Sequence, residues 1–326
     1  MLNLIAMRRV IYILLVSFFC VTSPAYAFWI WSPKTGTWVN PKHAVKSTPA
    51  EQLAFAVDYF KQDNLKEARN EFKKLISSYP KSAEAAEAQY YLGIIEENTG
   101  RLYEAYLAYQ KVIDKYPFSS RVNEIIDREF KIAEQYMQGE KRKTLGLTLP
   151  VENPAIEIFD KIITNSTYGP RAAEAQYKLG LILKSLARYL EAEEEFNKVV
   201  TNYPESDWVE AAKFQIAACR GSISPTPDYD QEATREAKEK FEDFLLSHPE
   251  AELSRQAEKN IQELKEREAE SHYDTAVFYE KQKAYKAAKL YYNTVIKDYP
   301  QSLWAAKAFS KLRALEKKTD NADKKK

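Results

Sequence analysis

The residues that could do chemistry in this 326-residue sequence are few. There are three histidines, two cysteines and a scatter of carboxylates. His43 lies in a short polar stretch, His248 directly precedes Pro249, and His272 sits in the charged run KEREAESH. None has a second histidine or a cysteine at the short spacing a metal site needs. Glu270, His272 and Asp274 form a cluster on paper, but on a helix that run reads as a solvated face. The cysteines, Cys20 and Cys219, are too few for a disulfide framework, and Cys219 reads as a small buried hydrophobe. The sequence has no phosphate-cradling glycine loop and no G-x-S-x-G nucleophile turn. Basic and acidic residues balance, 48 against 47, which argues against a nucleic-acid binder or an acidic disordered chain. The expectation is no catalysis, no metal and no cofactor. What remains is recognition, so the elements that present side chains come next.

Those elements repeat. Glu174 to Ser206, EAQYKLGLILKSLARYLEAEEEFNKVVTNYPES, has a near copy at Glu87 to Ser119. Gly180, Ala192, Phe196, Val199, Val200 and Pro204 match Gly93, Ala105, Tyr109, Val112, Ile113 and Pro117 at the same offsets, 87 residues apart (192 minus 105). Offsets of 4, 7 and 8 from the alanine lie on one helical face. A glycine 12 before it lets a preceding helix approach closely, and Tyr-Pro stops the second helix. The unit is a helical hairpin. It recurs at Ala68/Phe72 with Ala56 in the glycine position, at Ala155/Phe159, at Ala237/Phe241, and at Ala288/Tyr292 with Ala276 in the glycine position. Only 8 glycines, with abundant Ala, Glu, Lys and Leu, agree with an all-α chain.

Around this array the chain carries additions. Residues 1–27 read as a signal peptide, with Arg8 and Arg9 before an apolar core and an Ala25-Tyr26-Ala27 cleavage site after it. Cleavage after Ala27 is expected, and Cys20, preceded by Phe18 and Phe19 rather than a small residue, is the alternative lipidation point. Residues 28–48 form an aromatic arm, FWIWSPKTGTWVNPK and a linker, expected as a small hairpin or an extended segment that caps the first repeat or docks a partner. Loops are inserted at GEKRKTLGLTLPVENP and GSISPTPDYD. The stretch from Glu250 to Lys283 lacks Gly and Pro and predicts one long helix, or two nearly continuous ones, with KEREAESH projecting into water. The repeats occupy 49–315, and 316–326 reads as a disordered basic tail. Lys141-Arg142-Lys143 and Lys324 to Lys326 are basic runs that either touch anionic lipid or are simply solvated.

The Gly–Ala–Phe–Pro spacing resembles the tetratricopeptide repeat, and the ending Y-P-x-S at Tyr79, Tyr203 and Tyr299 narrows it. The region from about Glu232 to Leu312 is similar to the BamD family of outer-membrane assembly lipoproteins, the repeat subunit of the bacterial β-barrel assembly machinery. The chain departs from that family by about one extra repeat and by the absence of a clear lipobox. The resemblance implies an all-α tetratricopeptide-like solenoid of about six repeats in a right-handed superhelix. It also implies a non-enzymatic periplasmic scaffold, associated with the outer membrane, whose partners are unfolded outer-membrane protein segments and the barrel-forming subunit. In such repeats the groove is lined 3 before and 1, 4 and 5 after the glycine position. That selects Val57, Phe60 and Lys61; Tyr90, Ile94, Glu97 and Asn98; and Tyr177, Leu181, Lys184 and Ser185 as groove-lining, with Phe60, Lys61, Tyr90, Glu97, Asn98, Tyr177 and Lys184 expected to contact client segments. Tyr273, Val277, Glu280 and Lys281 are selected for partner docking by the C-terminal repeats. The tyrosines 3 before the glycine also suit packing between adjacent hairpins. One alternative function is a periplasmic adaptor for cell-division or peptidoglycan machinery. Another is the helical arm of a wall-cleaving transglycosylase, for which no sequence remains after Leu315.

Overall fold

The computed structural model describes residues 29–32, 36–40, 44–144, 147–148, 152–223, 231–250 and 252–323. The signal segment with Arg8, Arg9, Cys20 and Ala27, the linker His43 and the last three lysines lie outside the described residues. The chain divides into two compact units, Met1–Gln89 and Tyr90–Lys326.

In the first unit, strands β1 (Ile30–Ser32) and β2 (Thr37–Val39) pair antiparallel, giving the hairpin expected of the aromatic arm. Helices α1 (Pro49–Lys61) and α2 (Leu65–Ser78) pack as a second hairpin around Ala56, Ala68, Phe72 and Leu75, all fully buried. Thr48 starts α1 by accepting the Glu51 amide at 3.2 Å, with Pro49 at the first helical position, where a missing N–H costs nothing. Helix α3 (Ala83–Asn98) begins in this unit and ends in the second.

The second unit continues with α4 (Leu102–Lys115), α5 (Val122–Met137), α6 (Pro154–Asn165), α7 (Ala172–Ser185), α8 (Tyr189–Asn202), α9 (Trp208–Ile223), α10 (Gln231–Ser247), α11 (Ser254–Lys281), α12 (Tyr285–Asp298) and α13 (Leu303–Asp323). From α4 to α13 each helix packs on the next, and α4, α7, α9 and α11 also touch the helix two places on. That is the stacking of a tetratricopeptide-like helical solenoid, and the fold is all-α. The insert between α5 and α6 holds a minimal hairpin, β3 (Lys143–Thr144) with β4 (Leu147–Thr148). No helix among the described residues is long and apolar enough to cross a membrane.

The Y-P-x-S ending has a mechanical role. The amides of Tyr79, Tyr116, Tyr203 and Tyr299 still donate to the carbonyls of Leu75, Val112, Val199 and Val295, closing the last helical turn. Proline then ends the helix. The serine three residues after each tyrosine accepts an amide at the start of the next helix: Ser82 from Ala85 at 3.1 Å, Ser119 from Arg121 at 3.3 Å, Ser206 from Trp208 at 3.2 Å and Ser302 from Ala305 at 3.1 Å. One tetrapeptide therefore closes one helix and caps another.

Two expectations change. The long helix is a single one, but KEREAESH does not simply project into water. Glu268 and Ala269 are buried, Lys238 of α10 reaches Glu268 at 2.8 Å, and Arg267 donates to the Gly221 carbonyl at 2.8 Å. Charged residues read as solvated are here paired across neighbouring helices, which a single-helix pattern cannot reveal. The tail is also not unstructured throughout: α13 runs to Asp323, since nothing after Leu315 breaks a helix.

Candidate functional site

The glycine positions set the geometry of the candidate groove. A β-carbon built on Gly93 would lie 2.2 Å from the Tyr109 ring, and one on Gly180 would lie 2.6 Å from the Phe196 ring. The aromatic of the second helix thus rests on the backbone of the first. Residues flanking the glycine on the first helix are held in a fixed relation to the second helix of the same hairpin.

Two rungs recur in the second unit. In the first rung, the tyrosine 3 before the glycine position lies against the residue 31 places later, at the start of the next hairpin. The Arg121 guanidinium stands 4.7 Å from the Tyr90 ring centre, Trp208 lies 4.9 Å from Tyr177, and Trp304 lies 5.0 Å from Tyr273. The same tyrosines also pack on the aromatic of their own second helix, Tyr109, Phe196 and Tyr292, at 6.0, 5.5 and 5.6 Å. Tyr90 and Tyr177 are consequently only 4 % and 8 % exposed. Of the two roles open to these rings, packing between hairpins is what the geometry displays. Tyr90 also donates its hydroxyl to Glu124, and burial together with that bond pushes its pKa up to about 12.

In the second rung, the residue 4 after the glycine position meets the side chain 31 places later. Glu97 accepts from the Tyr109 hydroxyl at 2.6 Å and pairs with Arg128 at 3.2 Å. Glu280 accepts from the Tyr292 hydroxyl at 2.8 Å and pairs with Lys311 at 3.4 Å. Burial, then the carboxylate bond, raises the pKa of both tyrosines. In the fourth repeat the polarity reverses. Lys184 donates to the neutral Gln215 at 2.7 Å, Phe196 has no hydroxyl to offer, and desolvation lowers the Lys184 pKa. The partners Arg121, Arg128, Trp208, Gln215, Trp304 and Lys311 were not among the residues read from the sequence. They stand a constant 31 residues on, but their types vary from Arg and Lys to Trp and Gln, so the sequence alone carries no signal for them.

The positions 5 after the glycine behave differently. Asn98, Ser185 and Lys281 are exposed in the second unit, and Lys61 is exposed in the first. Phe60, Val57, Ile94, Leu181 and Val277 are half-buried, the last three against the repeat cores. Beside Lys184 a cleft of about 510 Å³ opens over Phe214, Ala218, Phe241 and Leu264, with Glu263 and Arg267 at its rim. A separate cleft of about 880 Å³ in the first unit is lined by Phe55, Tyr59, Glu67 and Lys73. The chemistry available is that of an amphipathic peptide surface, with apolar floor, paired charges and exposed amide and amine groups.

His272, His248 and Cys219 pack into the repeats. His272 lies among tyrosines, 6.1 Å from Tyr291 and 5.8 Å from Tyr299, rather than on a freely solvated face. His248 stacks on Phe244 at 5.2 Å. Cys219 is buried, as expected of a small core residue, and burial pushes its thiol up to about 11.

Comparison with known families fits this geometry. Tetratricopeptide-repeat models match residues 53–120 and 174–206. The chain carries tetratricopeptide repeats. Residues 220–326 match a family described as outer membrane lipoproteins, YfiO. Among solved structures, the chain is similar to the C-terminal part of a repeat protein from Cytophaga hutchinsonii at 17 % identity, covering 80 % of this chain and 87 % of that one, with a TM-score of 0.37. A tetratricopeptide repeat protein from Parabacteroides merdae matches at 16 % identity over 82 % and 98 % of the two chains, TM-score 0.33. PilF of Pseudomonas aeruginosa matches at 14 % over 81 % and 97 %, TM-score 0.26. A search of curated proteins finds no match. Repeats of this kind make the chain a protein-interaction scaffold.

Proposed function

We propose that the protein is a non-catalytic scaffold of outer-membrane β-barrel protein assembly, exported by residues 1–27 and held at the periplasmic side of the outer membrane. The observation that carries this reading is the match of residues 220–326 to outer membrane lipoproteins, joined to a signal-like N-terminus. Client segments contact Phe60 and Lys61 in the first unit, and the edges of the rungs around Tyr90, Glu97, Asn98, Tyr177 and Lys184 in the second. The exposed Lys61 and Asn98 make first contact. Around Tyr273, Val277, Glu280 and Lys281 the last repeats hold the barrel-forming subunit.

Affinity purification from cells tests the assignment, with recovery of the barrel-forming subunit as the expected result. Photo-crosslinkers at Phe60, Glu97 and Asn98 should capture outer-membrane precursors, and no capture at any of them would remove the client reading. The extra repeat supports a second reading, an adaptor for other envelope machinery such as cell division or peptidoglycan synthesis. Recovery of those components without the barrel-forming subunit would favour it. The mass of the mature N-terminus distinguishes cleavage after Ala27 from lipidation at Cys20.

A further inference from the structure

The aromatic arm is not absorbed by the repeats. Trp31 stands directly opposite Trp38 across the β1–β2 pair, their rings meeting edge to face at 5.9 Å. Directly opposed residues share a face, and the alternation of an extended strand places Trp29 on that face as well. The three indoles are 56 %, 49 % and 62 % exposed, so the described repeats do not cover them, and the expected cap over the first hairpin is not formed by these rings. The root of the arm is nevertheless fixed. The Lys46 carbonyl accepts the Tyr79 hydroxyl at 2.6 Å, the Lys46 amide donates to Gln52 at 2.9 Å, and its ammonium lies 4.1 Å over the Phe55 ring. Charge in this part of the chain is one-sided. Residues 28–50 contain Lys34, Lys42 and Lys46 with no carboxylate, and the first acidic residue of the whole sequence is Glu51.

We propose that this face docks onto the surface of an anionic bilayer. Indoles combine a flat apolar body with one N–H donor and settle at the headgroup level, where one side is greasy and the other wet. The lysines of residues 28–50, unopposed by any carboxylate in that stretch, add attraction to anionic headgroups. A protein partner would also accept indoles and the exposed Ile30, but it would bring no general reason for a stretch of basic charge with no carboxylate. A headgroup layer requires only amphipathy and positive charge. The inference is independent of whether the repeats receive precursors.

The test uses the protein as purified from expressing cells, its N-terminus fixed by mass, with vesicles of phosphatidylcholine alone or mixed with phosphatidylglycerol. The expected result is sedimentation with the mixed vesicles and loss of it in salt. Brominated lipid should quench the fluorescence of the native protein but not of the Trp29→Phe, Trp31→Phe, Trp38→Phe variant, whose remaining Trp208 and Trp304 lie in the repeats. Each of Lys34→Gln and Lys42→Gln should weaken binding about fivefold, the factor for one basic residue near an anionic surface. A circular-dichroism spectrum confirms that each variant retains the repeats. Failure of native protein to bind mixed vesicles at low salt would overturn the proposal, as would binding untouched by the triple variant. Loss of a protein partner, with no vesicle binding at all, would reassign the face to protein docking.

Discussion

Glu129 sits fully buried between α4, α5 and α6, where the groups facing it are Gln110, Tyr106 and Asp114 of α4, with Asn165 of α6 behind Gln110. Among the described residues the Gln110 Nε2 donates to it, at 2.9 Å from each carboxylate oxygen. Burial pushes its pKa up to about 8. In the unfolded chain the same group ionises near the ordinary glutamate value. The favourable contribution is therefore complete below that value, and it is lost as pH rises through the folded value near 8. Glu129→Gln keeps an acceptor for Gln110 and removes the ionisation. The variant should be about 2–4 kcal/mol more stable than the native protein at pH 8, with little difference at pH 4. Urea melts at the two pH values check this, and equal shifts at both would refute the assignment. At the rungs the effect is smaller: Tyr292→Phe removes the donor to Glu280 and should cost about 1 kcal/mol.

At the scale of the element, the hairpin turns expose a strain that the sequence hides. The residue 7 after each glycine position is left-handed: Asp63 at φ 58°, Gly100 at 72°, Ala187 at 58° and Lys283 at 60°. Gly100 meets this with glycine, as does Gly139 at φ 108° in the corresponding turn after α5; Asp63, Ala187 and Lys283 do not. Ala187→Gly should therefore raise stability by about 1 kcal/mol, visible as a higher melting temperature. Two changes act in the opposite direction. Gly180→Ala drives a β-carbon into the Phe196 ring, and Ala192→Leu overpacks a fully buried position; each should cost about 1–3 kcal/mol. Such elements were legible because their spacing is local. Glycine to alanine, alanine to aromatic and Tyr-Pro to serine all fall within one hairpin, and α5 at Val122–Met137 falls almost where the pattern places it. The rungs were not, because Tyr90 with Arg121, or Glu97 with Arg128, join adjacent hairpins. The sequence names one member of each pair, and only the packing of the next hairpin supplies the other. KEREAESH was misread for the same reason, since Lys238 lies on a different helix from Glu268.

At the scale of the molecule, the second unit holds its cores in series, each handed to the next by one shared helix. Helix α9 gives Ala212, Ile216 and Cys219 to the core that begins at Tyr90, and Phe214 and Ala217 to the next core. Helix α11 gives Ile261 and Leu264 to that second core, and Ala269 and Ala276 to the last one, with Tyr292 and Leu312. Stability in such an array is a sum of units and nearest-neighbour contacts, so damage should travel one unit and stop. Lys265 is exposed midway along α11, between Leu264 and Ala269. Lys265→Pro removes one helical hydrogen bond and clashes with the carbonyl of Ile261, a local penalty of about 3 kcal/mol or more. Its next neighbour Glu266 also accepts the Leu303 amide that opens α13, at 3.1 Å, so the break reaches the last helix as well. Amide exchange should quicken across α10 to α13 while protection in α4 to α8 stays at the native level. Uniform loss of protection from α4 onward would mean that the unit folds as one indivisible core, and the serial description would fail.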